Sequence, residues 1–332
     1  MSIPLPADLL KRYSTTAERR AWLQRLPTLI HDACERWDLR PDLQPGAVPW
    51  NGFAAIALPV RQADGSPAVL KISFPYEDIA HEPDALQLWS GQGAVRLLDH
   101  DAASSAMLLE RLDAARWLQA APLPEAIAVW GSLVSTLSIA EDGRPQWRVI
   151  PSLADRAERW SDDFPAEWSR LAEPCPRWLL EAALEVCQTR GAVGRRQSRD
   201  VLVHADLHGM NILARPGSTG WQASDFLAID PQAVVGDAEF AVTPMLNNRL
   251  ADLPERNPEL ALLERLQALC SAAGLDQEVA RQWSIAREME NILWYAAKPG
   301  HRKDLQRSLW ISSTLAGRTL EGLPHPHQLD MG

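Results

Sequence analysis

Apolar positions change their period along this chain. Trp22, Leu26, Leu29, Ile30, Ala33 and Trp37 recur three and four apart, as on one helix face, so residues 15 to 38 are predicted helical. Thr15 with Glu18 supplies a capping-box pair at the start. Beyond the Pro-containing connector Pro41 to Pro49 the period shortens. Phe53 to Val60 and Ala68 to Ile72 are β-type runs around Asp64-Gly65, a hairpin turn pair. Ala94 to Leu98 and Ala106 to Glu110 form a second such pair. Between the pairs, residues 78 to 90 read as a helix, with Pro83 in its first turn or interrupting it. Residues 45 to 112 are therefore expected to form a small, mostly antiparallel sheet carrying one helix.

From Ala114 the helical period returns, over Leu123 to Ile139, Leu153 to Trp168, Trp178 to Thr189, Pro258 to Ala273 and Gln277 to Ala297. Three strand-like runs interrupt it: Val201 to Val203, Asn211 to Ala214 and Phe226 to Ile229. The last two flank the polar turn Arg215 to Gly220. The fold class is α+β, divided into residues 1–112 and 113–332. His325 and His327, in a Pro-containing tail, are read as frayed.

Composition narrows the functions. The 332 residues are 46% apolar and 23% charged, as in globular proteins. A formal charge of −10 argues against nucleic acid as the main partner and favours a cationic small molecule. Cys34, Cys175, Cys187 and Cys270 are scattered without a C-x-x-C pair, which fits free thiols in a reducing cytoplasm. The N-terminal residues show no secretory pattern, and no stretch approaches the ~18 apolar residues of a membrane helix. A cytoplasmic monomer or homodimer is expected, with no membrane association.

The densest chemistry lies in His204-Ala205-Asp206-Leu207-His208-Gly209-Met210-Asn211, followed by Asp230 at the end of an apolar run. In phosphoryl transfer one Asp orients the attacking hydroxyl, while an Asn and a second Asp hold the metal ions that bridge the phosphates. Carboxylate and amide oxygens are the donors Mg²⁺ prefers. Asp206, Asn211 and Asp230 satisfy that demand by type and order, and a hairpin of the last two runs would bring Asn211 and Asp230 to one end. Two other readings stand beside it. H-x-D-x-H suits a metal hydrolase with imidazole ligands; alternatively Asp206 caps a turn and the histidines are core residues.

Other residues fit the remaining needs of Mg-ATP chemistry. Lys71, inside the strand-like Ala68 to Ile72, could grip phosphates, or could sit on an exposed strand face. Glu82 is its candidate partner, with Glu77 the runner-up. Val48-Pro49-Trp50-Asn51-Gly52-Phe53 is a candidate lid, although one glycine is far weaker than a G-x-G-x-x-G loop. Glu110-Arg111-Leu112 is the crossing to the helical half, where backbone groups of Glu110 and Leu112 could read adenine. Nothing matches the P-loop pattern.

Taken in order, these segments resemble the aminoglycoside phosphotransferase family of the protein-kinase-like superfamily, nearest its streptomycin 6-kinase and hydroxyurea phosphotransferase branch. The similarity lies in Pro67 to Lys71, Gly93 to Leu98, Leu108 to Leu112, Pro151 to Ala154, His204 to Asn211, and Ala228 to Pro231 with Val235-Gly236-Asp237. It implies a two-lobed kinase-like fold, with a small antiparallel-sheet N-lobe and a mostly helical C-lobe. It also implies ATP and Mg²⁺ as cofactors and transfer of the γ-phosphoryl group to a hydroxyl. By position, Asp206 is the base, Asn211 and Asp230 are metal ligands, Lys71 grips phosphates, Glu82 orients it, and Asp237 braces the catalytic loop. Ala205 and Ala241 stand where relatives often carry Gly and Asp. The expected acceptor is a streptomycin-type aminoglycoside; Asp162, Asp163, Glu288 and Glu290 are either partners for its cationic groups or solvated helix faces, and Trp294 either lines its cleft or packs in the core. A kinase for hydroxyurea or another small metabolite, and a degenerate nucleotide-binding protein, are the alternatives.

Overall fold

The computed structural model describes residues 3–76, 80–191 and 199–330. Two helices lead, α1 (Ala7–Tyr13) and α2 (Ala17–Arg36). The cap of α2 is Thr16, whose hydroxyl accepts from Arg19 N, one residue after the expected Thr15. Leu9, Tyr13, Trp22, Leu26 and Ile30 are buried in one apolar cluster with the sheet that follows.

That sheet contains β1 (Arg40–Pro41), β2 (Trp50–Asn51), β3 (Ala55–Arg61), β4 (Pro67–Ser73), β5 (Leu97–Asp101) and β6 (Ala106–Glu110), in the order β1-β3-β4-β6-β5 with β2 also on β3. Every pairing is antiparallel. Helix α3 (Glu82–Trp89) crosses between β4 and β5, and Pro83 sits in its first turn, where a missing N–H costs nothing. The described part of the expected helix 78–90 thus begins at Glu82. The second hairpin also differs from its expected bounds. Ala94 and Val95 do not join β6; Val95 N donates to Ala228 O at 2.8 Å, and Ala228 N to Gly93 O at 2.9 Å, so this stretch stitches the sheet to the helical half. The strand proper starts at Leu97.

A short strand, β7 (Asp113–Trp117), leads into the second lobe. The helices there are α4 (Leu123–Leu137), α5 (Leu153–Arg170), α6 (Arg177–Arg190), α7 (Thr243–Asn247), α8 (Pro258–Ala273), α9 (Gln277–Ala296), α10 (Arg302–Leu315) and α11 (Pro326–Leu329). Between α6 and α7 lie β8 (Val201–His204), β9 (Ile212–Ala214), β10 (Phe226–Ala228) and β11 (Ala233–Gly236). They form two small sheets, β10-β9-β7 and β11-β8. Ser152 caps α5 by accepting from Asp155 N, and Asp276 caps α9 by accepting from Glu278 N and Val279 N. The second apolar cluster includes Trp130, Trp283, Phe240 and Ile292.

The described part of the tail, to residue 330, is packed rather than frayed. His327 Nε2 lies 2.5 Å from Leu253 O, His325 Nε2 lies 3.3 Å from Glu255 O, and Leu329 is buried. Among the described residues no helix is long and apolar enough to cross a membrane.

Candidate active site

Strand β4 is buried on both faces from Leu70 to Ser73, Lys71 included, so the exposed-face reading does not hold. Its ammonium donates to both Glu82 carboxylate oxygens at 2.7 Å and to Asp230 Oδ1 at 2.8 Å. A buried ammonium without such partners would be costly. Glu82 is the first residue of α3 and almost wholly enclosed; burial pushes its carboxyl up to about 7, and the Lys71 charge opposes that push. Glu77 lies outside the described residues.

The hairpin β9–β10 pairs Ile212 with Ala228, and Ile229 N donates to Asn211 O at 2.9 Å. Asn211 and Asp230 therefore leave its open end together. Asp230 has φ +56°, a left-handed backbone that turns the chain sharply after β10. Burial would raise its carboxyl, but the Lys71 ammonium prevails and holds it below the usual range. Asp206 follows β8 and faces the same cleft. Asn211 Nδ2 donates to Asp206 O at 3.0 Å and to Asp206 Oδ2 at 3.1 Å. With its nitrogen so used, the amide keeps its oxygen for a cation. Asn211 and Asp230 offer hard oxygen donors, which suit Mg²⁺. Burial raises the Asp206 carboxyl above its ordinary value, against the pull of His208 and Arg287.

His204 argues against the hydrolase reading. Its Nε2 lies 2.9 Å from Ile229 O, its Nδ1 accepts from Asp206 N at 3.4 Å, and its ring stacks on Trp89 at 6.0 Å. Burial pushes it down to about 4. A neutral imidazole with one donor and one acceptor both engaged offers no lone pair to a metal. His208 Nδ1 accepts from Met210 N at 3.3 Å, and its Nε2 lies 3.7 Å from Asp206 Oδ2.

Asp237 is buried and accepts from Trp283 Nε1 at 2.7 Å. Ala205 and Ala241 are buried with their methyl groups accommodated. At the crossing, Glu110 N donates to Arg96 O at 3.0 Å, and Glu110 Oε1 accepts from Arg96 N at 2.7 Å. That takes the Glu110 N–H out of any adenine contact and leaves its carbonyl and the backbone of Leu112. The stretch Val48 to Phe53 includes β2, and a Cβ placed on Gly52 would lie 3.6 Å from Asp230 Oδ2. The loop thus hangs over the cleft.

Below Asp206 opens a cleft of about 170 Å³, lined by His208, Asn247, Arg287, Asn291 and Tyr295 among others. The acidic residues expected to bind the acceptor are placed otherwise. Arg156 holds Glu290 at 2.7 and 2.8 Å, and Trp160 Nε1 donates to it at 3.1 Å. Glu288 is buried and accepts from Asn247 Nδ2 at 2.6 Å. Asp162 and Asp163 are exposed on α5. Trp294 is 39% exposed, outside the core, and packs edge-on against Tyr295 at 5.1 Å. Arg287, Asn291 and Tyr295 were not anticipated. Their four-residue spacing on one face of α9 was the available signal.

A small antiparallel sheet above a helical lobe, with lysine, glutamate and aspartate paired across the seam, defines a protein-kinase-like phosphotransferase. Solved structures share the fold: Plasmodium vivax ethanolamine kinase superposes with a TM-score of 0.56 at 12% identity, covering 93% of this chain and 92% of that one. An amicoumacin kinase in complex with AMP-PNP and Ca²⁺ gives 0.54 at 14% identity, covering 97% and 99%. The chain belongs to the aminoglycoside/hydroxyurea antibiotic resistance kinase family, which it matches over residues 36–298. It is 35% identical over 296 residues to a streptomycin 6-kinase of Streptomyces glaucescens, covering 88% of this chain and 91% of the relative. It is 33% identical over 324 residues to a hydroxyurea phosphotransferase of Kitasatospora aureofaciens, covering 95% and 87%. The chain is a phosphotransferase with a hydroxyl acceptor.

Proposed function

We propose that this enzyme transfers the γ-phosphoryl group of Mg-ATP to a hydroxyl of a streptomycin-type aminoglycoside. Residues 1–112 form the nucleotide lobe in this reading, and residues 113–332 carry the catalytic loop and acceptor site. The observation that carries it is the meeting of Lys71, Glu82 and Asp230 beside the Asp206–Asn211 pair. Lys71 binds phosphate oxygens, and Glu82 keeps its ammonium in place. Asn211 and Asp230 hold Mg²⁺, whose charge, when bound, offsets that of the phosphates. Glu110 O and the Leu112 backbone hold adenine. Asp206 accepts a hydrogen bond from the acceptor hydroxyl and aims its oxygen; with its carboxyl raised by burial it can also take the proton.

The net charge of −10 draws a cationic acceptor towards the protein. Next to Asp206, however, Arg287 lines the cleft, so the acceptor's cationic groups lie towards the outer rim. Four free thiols fit a cytoplasmic setting. The test is ATP-dependent phosphorylation across a panel of aminoglycosides and small hydroxylated metabolites. Phosphorylation of streptomycin is the expected result, and no transfer to any aminoglycoside overturns that acceptor class.

A second reading, a compact acceptor such as hydroxyurea, has one observation in its favour. The cleft is only about 170 Å³ and is lined by Arg287 and Arg307. The same panel decides between the two.

A further inference from the structure

Helix α1 precedes the segment that matches the family, yet it reaches the lid. Arg12 Nη1 donates to Gly52 O at 2.9 Å and to Phe53 O at 2.8 Å, and its guanidinium lies 5.0 Å from the Phe53 ring centre. One turn earlier, Asp8 Oδ2 accepts from Asn51 Nδ2 at 2.6 Å and sits 3.7 Å from Arg12. Two charged side chains of one short helix thus hold three consecutive lid residues.

The consequence follows from peptide planarity. The bonds from Gly52 to Phe53 and from Phe53 to Ala54 are trans, and a trans peptide points its C=O and N–H in opposite directions. Arg12 draws both carbonyls to itself, so the Phe53 and Ala54 N–H groups face away from it. Among the described residues no hydrogen bond uses either N–H. The turn is closed instead by Gly52 N donating to Ala55 O at 3.0 Å. Two successive free amides on a tight turn form an anion-binding concavity. This one lies next to Gly52, whose Cβ direction meets Asp230 Oδ2.

We propose that Arg12 is a positioning residue for the nucleotide: by holding the Gly52 and Phe53 carbonyls it presents the Phe53 and Ala54 amides to the triphosphate, with Asp8 steadying the same turn through Asn51. The proposal rests on the Mg-ATP reading above. Arg12 touches neither nucleotide nor acceptor in it.

The test is equilibrium binding of Mg-AMP-PNP and of adenosine to the full chain carrying Arg12→Ala, Arg12→Lys or Asp8→Ala. Arg12→Ala should weaken Mg-AMP-PNP about tenfold while adenosine, which lacks phosphates, keeps its affinity. Arg12→Lys, able to donate to the carbonyls, should fall between Arg12→Ala and the unmodified chain. Asp8→Ala should show a smaller loss of the same kind, and it serves where Arg12→Ala does not fold. Equal weakening of both ligands, or of neither, overturns the role of Arg12. An unmodified chain that does not bind Mg-AMP-PNP overturns the Mg-ATP reading itself.

Discussion

Lys71 and Asp230 are separated by 159 positions in the chain and meet at 2.8 Å. One comes from the sheet lobe and the other from the end of a hairpin in the helical lobe, so their ion pair pins the seam where nucleotide is proposed to lie. In the proposed reading, Mg-ATP parts or shares them. Phosphates would then take the ammonium, and a metal ion the carboxylate.

Removing the ammonium tests what the ion pair does for the fold. Lys71→Met leaves Glu82 enclosed without its counter-charge. Breaking a buried pair from one side costs about 3–5 kcal/mol. Denaturant unfolding near neutral pH should show a loss of that order. Lys71→Met/Glu82→Gln should recover much of it, because the enclosed Glu82 charge is gone and the Asp230 carboxylate that stays is part-exposed to water. A double variant no more stable than Lys71→Met contradicts the pairing.

His204 predicts a pH dependence. Its folded value, about 4, lies below the ordinary 6.5. Between these values the unfolded chain binds the proton first, so stability contributed by neutral His204 is present above pH 6.5 and is lost as pH falls towards 4. The loss is about 3 kcal/mol at most. His204→Gln keeps a donor and an acceptor but does not titrate. Unfolding midpoints measured from pH 4 to 6.5 should fall less steeply in this variant; equal slopes would remove His204 as the source.

Asp230→Ala should abolish most of the Mg²⁺ dependence of nucleotide binding, leaving AMP-PNP affinity nearly the same with and without the metal. Titrations in Mg²⁺ and in EDTA measure this directly. A full Mg²⁺ effect in the variant would move the ligand role elsewhere.

Arg287→Met should change acceptor preference. Taking a buried positive charge from the cleft should lower KM for streptomycin and raise it for uncharged hydroxyurea, each by about threefold to tenfold. Steady-state kinetics with both acceptors measures the split. A parallel change for the two would make Arg287 a packing residue, held over Phe240 at 5.0 Å.

Much of the site could be read from the chain because its parts are local. Asn211 and Asp230 flank one hairpin whose apolar runs and polar turn are evident, and Lys71 and Glu82 lie only 11 residues apart. What escaped depends on contacts between distant segments. Helix α10 buries Arg307, Ser308, Ser312, Ser313 and Thr314 among Leu309, Trp310, Ile311 and Leu315, so polar positions interrupt its apolar repeat. Strand β7 exists only because β9 pairs with it, with a register shift between Asp113 and Trp117. The tail is held by backbone carbonyls of Leu253 and Glu255, which carry no mark in sequence. Helix α1 has seven residues, too few for its period to register. Of the acidic residues expected at the acceptor, Glu290 pairs with Arg156 and Glu288 with Asn247, contacts set by folding rather than spacing.

The most direct measurement compares Mg-ATP-dependent phosphoryl transfer by the unmodified enzyme and by Asp206→Ala, with Mg-AMP-PNP affinity determined for both. Loss of general acid–base assistance and of hydroxyl alignment should slow turnover by about 10²–10⁴-fold, while the affinities stay within about twofold because the proposed role of Asp206 is towards the acceptor. Turnover by Asp206→Ala near that of the unmodified enzyme would contradict the assignment of this cleft as the place where the hydroxyl meets the phosphoryl group.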